Sequence, residues 1–355
     1  MAWPRLRLPP GLGSAFWLAL LLVSGVEISL HSEAVIHRYR AVFALGRAYD
    51  KLHFVERHPP HILFVGNSRA DNGIDPRTIS RAWPDASHSS FNLGVPGANA
   101  LIYHGMIKWL DARGLLGGKT IRSVVLVLDE NTFQEDNSLG YIGFLADRRA
   151  LFEAGRYQDW LGSYLRLWSY SGNLRQLREP EKSLRFIQAS LRPIDPIGGS
   201  AAAHLGYRAG FRATQDAAQE VRQERTAQRP PVPGVESFLW RTIGLLQARG
   251  VRVFAVAPPL RDRLSAFFDP APAAEPYRRL LVRLQQRGVI VLPAPAAYKP
   301  TEFINAGHLN DRGAQRYSTL LGQALARLWP ATAPPSGAGH APFPPVAREQ
   351  AGERG

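Results

Sequence analysis

The 355-residue chain contains no cysteine. That absence excludes thiol nucleophiles, disulfide staples and Cys-based zinc or iron–sulfur sites. It also suits an oxidising compartment such as a bacterial periplasm, where a stray thiol is a liability. Acidic residues are few beside basic ones: 29 Asp and Glu against 43 Lys and Arg, a net charge of +14. Such an excess calls for an anionic neighbour: a membrane surface, an acidic glycan or nucleic acid. Long apolar runs are equally scarce. Residues 8–26, preceded by Arg5 and Arg7, form one uncharged stretch, and no second run of spanning length follows. As a helix that stretch reaches ~28 Å, close to the ~30 Å hydrocarbon core of a bilayer. It reads as a membrane anchor at residues 1–32, with a cleavable signal peptide as the alternative. The arginines favour a cytoplasmic N-terminus, hence a single pass through the bacterial inner membrane with the remainder periplasmic. On that side, nucleic acid drops out as a partner. What the chain does have is a hydrophobic content of 45%, enough for a sizeable core and incompatible with a fully disordered or collagen-like chain.

Continuous, largely β-branched runs occur at 61–65, 123–128, 251–256 and 289–292, and amphipathic helical patterns at 101–113, 235–249, 277–287 and 313–328. Such alternation predicts an α/β fold with a mostly parallel sheet covered on both faces. Residues 33–58 read as a helical connector, with a helical pattern over 33–52. The core then falls into two parts, 59–139 and 235–330, separated by a mostly helical insertion at 140–234. Trp160, Tyr164, Trp168 and Tyr170 of the insertion have helical spacing and are expected in its core. Its end, 215–233, reads as a loose connector. The Ala/Pro/Gly-rich residues 331–355 read as a disordered tail.

The first strand runs into Gly66-Asn67-Ser68-Arg69. A serine at the carboxyl end of a buried parallel strand, just before a helix, stands where α/β folds expose reactive groups. A bare Gly-x-Ser is common, and Ser68 as a simple helix cap is the competing reading. Three further features bear on it. Phe91-Asn92-Leu93-Gly94-Val95-Pro96-Gly97 puts a glycine-punctuated turn after a short strand. The strand over 123–128 ends in Asp129-Glu130-Asn131-Thr132. Asn305-Ala306-Gly307-His308 precedes the last helix. Around these, Asp71, Asp75 and Arg77 read as surface or capping groups. Arg69 and Asn72 either line the site mouth or are structural. His88, His104 and His204 have no ligand-like spacing, so the reading calls for no metal and no cofactor.

The order of these blocks resembles the SGNH, or GDSL-type, hydrolase superfamily, whose marker residues Ser, Gly, Asn and His lie in four separate blocks. The resemblance covers roughly residues 60–135 and 235–328 and implies a flavodoxin-like three-layer sandwich. It implies Ser68 as nucleophile and His308 as general base, with Ser68 N–H, Gly94 N–H and the Asn131 amide as the oxyanion hole. The chain departs from the family's Gly-Asp-Ser in having Asn67. Of the family's Gly-x-Asn-Asp it keeps only Asn131. Of Asp-x-x-His it keeps the histidine, with Asn305 at the acid position. An amide there can orient the imidazole but cannot neutralise an imidazolium, so a carboxylate from elsewhere, with Glu302 and Asp311 near in sequence, is the alternative. The anchor and the loosely kept blocks are similar to bacterial envelope proteins of alginate O-acetylation and teichoic-acid D-alanylation. That similarity implies acyl transfer to, or ester hydrolysis on, an envelope glycan, with a membrane-bound O-acyltransferase as a partner. A non-catalytic scaffold subunit of the same fold is the competing reading.

Overall fold

The four apolar runs and the short strand before Gly94 become strands: β1 (Ile62–Gly66), β2 (Ser90–Gly94), β3 (Ser123–Val127), β4 (Arg252–Val256) and β5 (Ile290–Val291). The computed structural model describes residues 13–40, 42–43, 45–83, 88–118, 120–134, 139–192, 202–212, 229–295 and 297–329. The strands form one sheet in the order β2-β1-β3-β4-β5, with every neighbouring pair parallel. Every residue of β1, β2 and β3 is buried, which is why β1 and β3 read as unbroken apolar runs rather than alternating ones, while β2 buries Ser90 and Asn92 among its apolar residues. Gly66 pairs with Gly94 at the carboxyl ends of β1 and β2, and Val65 pairs with Leu126 of β3. From β1 the chain winds outward to β2 on one side and to β3 on the other. Such a reversal opens a crevice at the carboxyl ends of the strands.

Helices cover both faces. The N-terminal region holds α1 (Ser14–Leu30), α2 (Glu33–Tyr39) and α3 (Gly46–Arg57); α4 (Ser68–Gly73) and α5 (Pro76–Ala82) follow β1, and α6 (Ala100–Asp111) follows β2. After β3, the described residues include the short helices α7 (Leu139–Leu145), α8 (Arg148–Glu153), α9 (Tyr157–Gly162), α10 (Arg166–Ser169), α11 (Ser171–Arg175) and α12 (Pro180–Leu191). Then α13 (Pro233–Ala248) leads into β4, α14 (Glu275–Gln286) into β5, and α15 (Asp311–Leu328) closes the fold. One core layer joins α3, α6, α13 and α14 to the sheet through residues such as Leu52, Ile102, Leu239 and Leu284. The other joins α5 and α15 to the opposite face through Ile79, Leu321 and Leu325.

The expected helices near 101–113, 235–249, 277–287 and 313–328 are all present within two residues or so of their bounds. Three expectations change. The helical pattern over 33–52 is split into α2 and α3, because Val42, Phe43 and Leu45 turn inward and an Arg40–Asp50 ion pair of 2.8 Å spans the break. Tyr170 is buried, but Tyr164 and Trp168 are exposed, because helices as short as α9 and α10 cover only one side of each other and of α7. The apolar N-terminal helix, Ser14–Leu30, runs past the end of the uncharged 8–26 stretch and takes in Glu27. Among the described residues no single helix is long and apolar enough to cross a membrane. The pair α1 and α2 is so by length and composition, with an 82° bend between them. Arg5 and Arg7, most of the 215–233 connector and the 331–355 tail lie outside the described residues.

Candidate active site

Ser68 is the first residue of α4, two positions beyond the end of β1. Asn67 makes that helix start: its Oδ1 accepts from Arg69 N at 2.9 Å, so the amide, not Ser68, is the cap. The exit from β1 is tight. A Cβ on Gly66 would come within 2.3 Å of the Ala70 Cβ, and one on Gly94 within 2.5 Å of Asp71 N. Gly94 therefore lies against the backbone of α4 and Gly66 against the Ala70 methyl, approaches that leave no room for a side chain at either strand end. Ser68 N–H donates to no group among the described residues.

His308 reaches Ser68 from the far end of the chain. Its Nε2 lies 2.8 Å from Ser68 Oγ, and its Nδ1 lies 2.9 Å from Asn305 Oδ1. The 304–308 turn is closed by Ile304 N donating to His308 O at 2.8 Å. Inside it, Asn305 Oδ1 also accepts from His308 N at 3.0 Å and Gly307 N at 3.2 Å. Those backbone donors fix which end of the amide faces the ring, since a flipped amide would aim its own N–H groups at them. With an oxygen facing it, Nδ1 carries the proton and Nε2 is left as the acceptor for the serine hydroxyl. Each alternative carboxylate is engaged elsewhere. Glu302 accepts from Lys299 N at 2.6 Å and from Arg316, and Asp311 accepts from Tyr207 Oη at 2.6 Å and from Gly210 N.

The other expected oxyanion donors differ in state. Gly94 N–H is already taken by the Asn92 side chain, at 2.8 Å. The same Asn92 donates to Ala70 O and Ile74 O at 2.8 and 2.7 Å, binding β2 to α4. Asn131 is exposed in the turn that follows β3, and its side chain bonds to no described group. Ser68, His308 and Asn305 thus form one hydrogen-bonded chain, which Gly94 does not join.

Several polar groups hold the arrangement from behind. Asp129, buried at the end of β3, accepts from Asn67 Nδ2 at 2.8 and 3.0 Å and from Arg69 Nη1 at 3.1 Å. Arg69 is therefore not at the site mouth. It is buried, also reaches Glu130, and lies against Gly307 beside His308. Burial alone would raise the Glu130 carboxyl, but the Arg69 and Arg263 guanidiniums and the Ala266 N–H outweigh it and hold it lower than usual. Asp71 is not a surface group. It is fully buried, with Lys51 Nζ at 2.7 Å and Arg47 at 2.8 Å, and Lys51 also donates to Gly94 O at 2.5 Å. Burial pulls the Lys51 ammonium down to about 8 against the opposing pull of Asp71. Asp75 caps α5 as expected, bonding Arg77 N at 3.0 Å. Asn72, one turn beyond Ser68, is buried with no donor to its Oδ1 among the described residues.

Among the expected bystanders, His104 pairs with Asp147 at 3.1 Å, His88 packs between Trp83 and Trp329, and His204 lies edge-on to Tyr207. Lys51, Asn92 and the Asn67–Asp129 contact escaped the sequence reading. Only Asn92 left a trace there, as an amide inside the apolar run 91–93. Compared with models of known protein families and with curated proteins, the chain matches none.

Proposed function

We propose that the chain is a serine-dependent acyl-transfer enzyme of SGNH type, tethered to the bacterial inner membrane with its catalytic domain in the periplasm. Its substrate class is ester-linked acyl groups of an envelope or exported glycan. The observation that carries the reading is the unbroken chain Asn305–His308–Ser68 at the carboxyl ends of the strands. The strand order, which is also that of flavodoxin-like sheets, supports it. Two departures from the family blocks answer one another: Asn67 stands where the family has Asp because Asp129 faces it, and an amide can donate to that carboxylate.

In the reaction, His308 Nε2 takes the Ser68 proton as Oγ bonds to the acyl carbon. The negative oxygen that results is assigned to Ser68 N–H and, by the family resemblance, to the Asn131 amide. His308 then passes its proton to the departing alkoxide, leaving acyl-Ser68. Water or a sugar hydroxyl, deprotonated by the same imidazole, attacks that ester and returns the serine. A membrane-bound O-acyltransferase partner would supply the acyl group in the transferase version.

The test uses the full chain in detergent with p-nitrophenyl acetate. The expected result is an acetyl adduct on Ser68 by intact mass, with turnover lost in Ser68→Ala and His308→Ala. Equal turnover in all three folded proteins would sink the reading. A second reading, a scaffold subunit with the same fold, draws on the Gly94 N–H being spent on Asn92, which removes one expected oxyanion donor. No adduct, with full cellular function of Ser68→Ala, would favour that scaffold.

A further inference from the structure

The helix α12 breaks the pattern of the rest of the fold. None of its residues is buried, although it carries apolar side chains on one stripe. Leu184, Ile187 and Leu191, spaced i, i+3, i+7, are 55%, 52% and 81% exposed. An amphipathic helix with its apolar stripe turned away from the core needs another apolar medium to cover it.

The N-terminal helix indicates which medium. Side chains of α1 from Phe16 to Val23 are apolar and mostly exposed, and its single charge is Glu27, near the end. Glu27 does not face outward into solvent alone: Oε1 accepts from Arg166 N and Oε2 from Leu167 N, both at 2.7 Å. The carboxylate therefore caps α10, so Leu165 and Trp168 stand at the level of the last turn of α1. Beyond that turn the chain bends by 82° into α2. With α1 along a bilayer normal, α2 runs nearly in the plane of the surface. And α12 is fastened to α2: Tyr39 and Phe186 stack at 4.7 Å, and Arg38 Nη1 donates to Ala189 O at 2.9 Å at the carboxyl end of α12. Residues 166–192 carry six basic side chains (Arg166, Arg175, Arg178, Lys182, Arg185, Arg192) and two acidic ones (Glu179, Glu181), which suits anionic headgroups.

We propose that α12, with the 165–168 corner, is an in-plane helix lying in the lipid–water interface beside α1, its Leu184–Ile187–Leu191 stripe covered by acyl chains. The proposal rests on the reading of α1 as a membrane anchor. It adds a second, lateral membrane contact that holds the globular part at a fixed tilt rather than on a free tether.

The absence of cysteine makes the test direct, because any introduced thiol is the single labelling site. Full-length Leu22→Cys (α1), Ile187→Cys (α12) and Gln315→Cys (α15, on the opposite face of the sheet) each receive an environment-sensitive fluorophore. They are reconstituted in phosphatidylethanolamine–phosphatidylglycerol vesicles containing lipids with a shallow nitroxide. The labels at 22 and 187 are expected to lose about half of their emission or more, and the label at 315 none. Adding Leu184→Glu and Leu191→Glu should restore the emission at 187 while leaving gel-filtration behaviour unchanged. Quenching at 22 with emission at 187 equal to that at 315 overturns the proposal and leaves the anchor standing. So does quenching at 187 that the two glutamates do not relieve. No quenching at 22 removes the anchor reading, and this proposal with it.

Discussion

The edge of the sheet around Ser68 and the surface around α12 are opposites. At the first, charged and polar side chains are buried and matched to partners: Asn67 to Asp129, Lys51 to Asp71 and Gly94 O, Asn92 to three backbone groups. At the second, large apolar side chains stand exposed with nothing described over them. The first region fixes geometry by spending most of its hydrogen-bonding capacity internally, Asn72 Oδ1 being an exception. The second leaves apolar capacity unspent, as a surface awaiting a partner does. The difference teaches that hydrogen-bonded rigidity and exposed apolar surface are kept apart in this fold, the first tied to α3 through Lys51 and the second to α2 through Tyr39.

The contrast can be broken most severely at Asn67. Asn67→Asp would put a second carboxylate against both oxygens of Asp129, and we expect a loss of about 3–5 kcal/mol in urea unfolding, as for an uncompensated buried charge. A loss below the cost of a helix cap, about 1 kcal/mol, would show that the pair is solvated. Next is Lys51→Met, which leaves Asp71 with Arg47 alone and should cost about 3 kcal/mol. Its pH signature is separable. Burial holds the native Lys51 at about 8, below the ordinary 10.5. The unfolded chain therefore binds more protons in that window, and this residue adds stability as the pH rises from about 8. The difference between wild type and variant should grow over that range; a difference that shrinks would reverse the assigned shift.

A smaller effect is expected at Asn305→Asp. The neutral amide already holds the ring in the productive tautomer, so the variant gains only the attraction between carboxylate and imidazolium. We expect turnover of p-nitrophenyl acetate to rise by about tenfold, with its acid limb displaced to higher pH, against the ~10⁴-fold step seen where an amide holds the wrong tautomer. A fall in turnover would mean that the turn needs the amide. The smallest effect belongs to the other region: Ile187→Gln should change the unfolding free energy by less than about 0.5 kcal/mol, because its side chain packs on no core. A loss above 1.5 kcal/mol, typical of core truncation, would erase the contrast.

Why one region was legible in the sequence and the other was not follows from the same physics. Strands buried on both faces must be apolar throughout, so 61–65, 123–128 and 251–256 announced themselves. Ser68 and His308 were visible because each follows a strand or precedes a helix at the sheet's carboxyl edge. Lys51 was not, since on its own helix it is one more basic residue, and its partners lie on α4 and β2. For Trp168 and Tyr164, helical spacing shows that a side is apolar and does not say what covers it. That depends on how short helices stack, which periodicity does not encode.

The closed turn at Asn305 has one more consequence. A carboxylate in that place would pick up a proton in mild acid and release the ring it holds. Asn305 has no proton to gain, and its other two contacts are backbone N–H groups. The Asn305 amide that holds His308 Nδ1 does not change charge below neutrality, so it adds no ionisation of its own to the acid side of the rate profile, whose limiting slope should be about one on logarithmic axes.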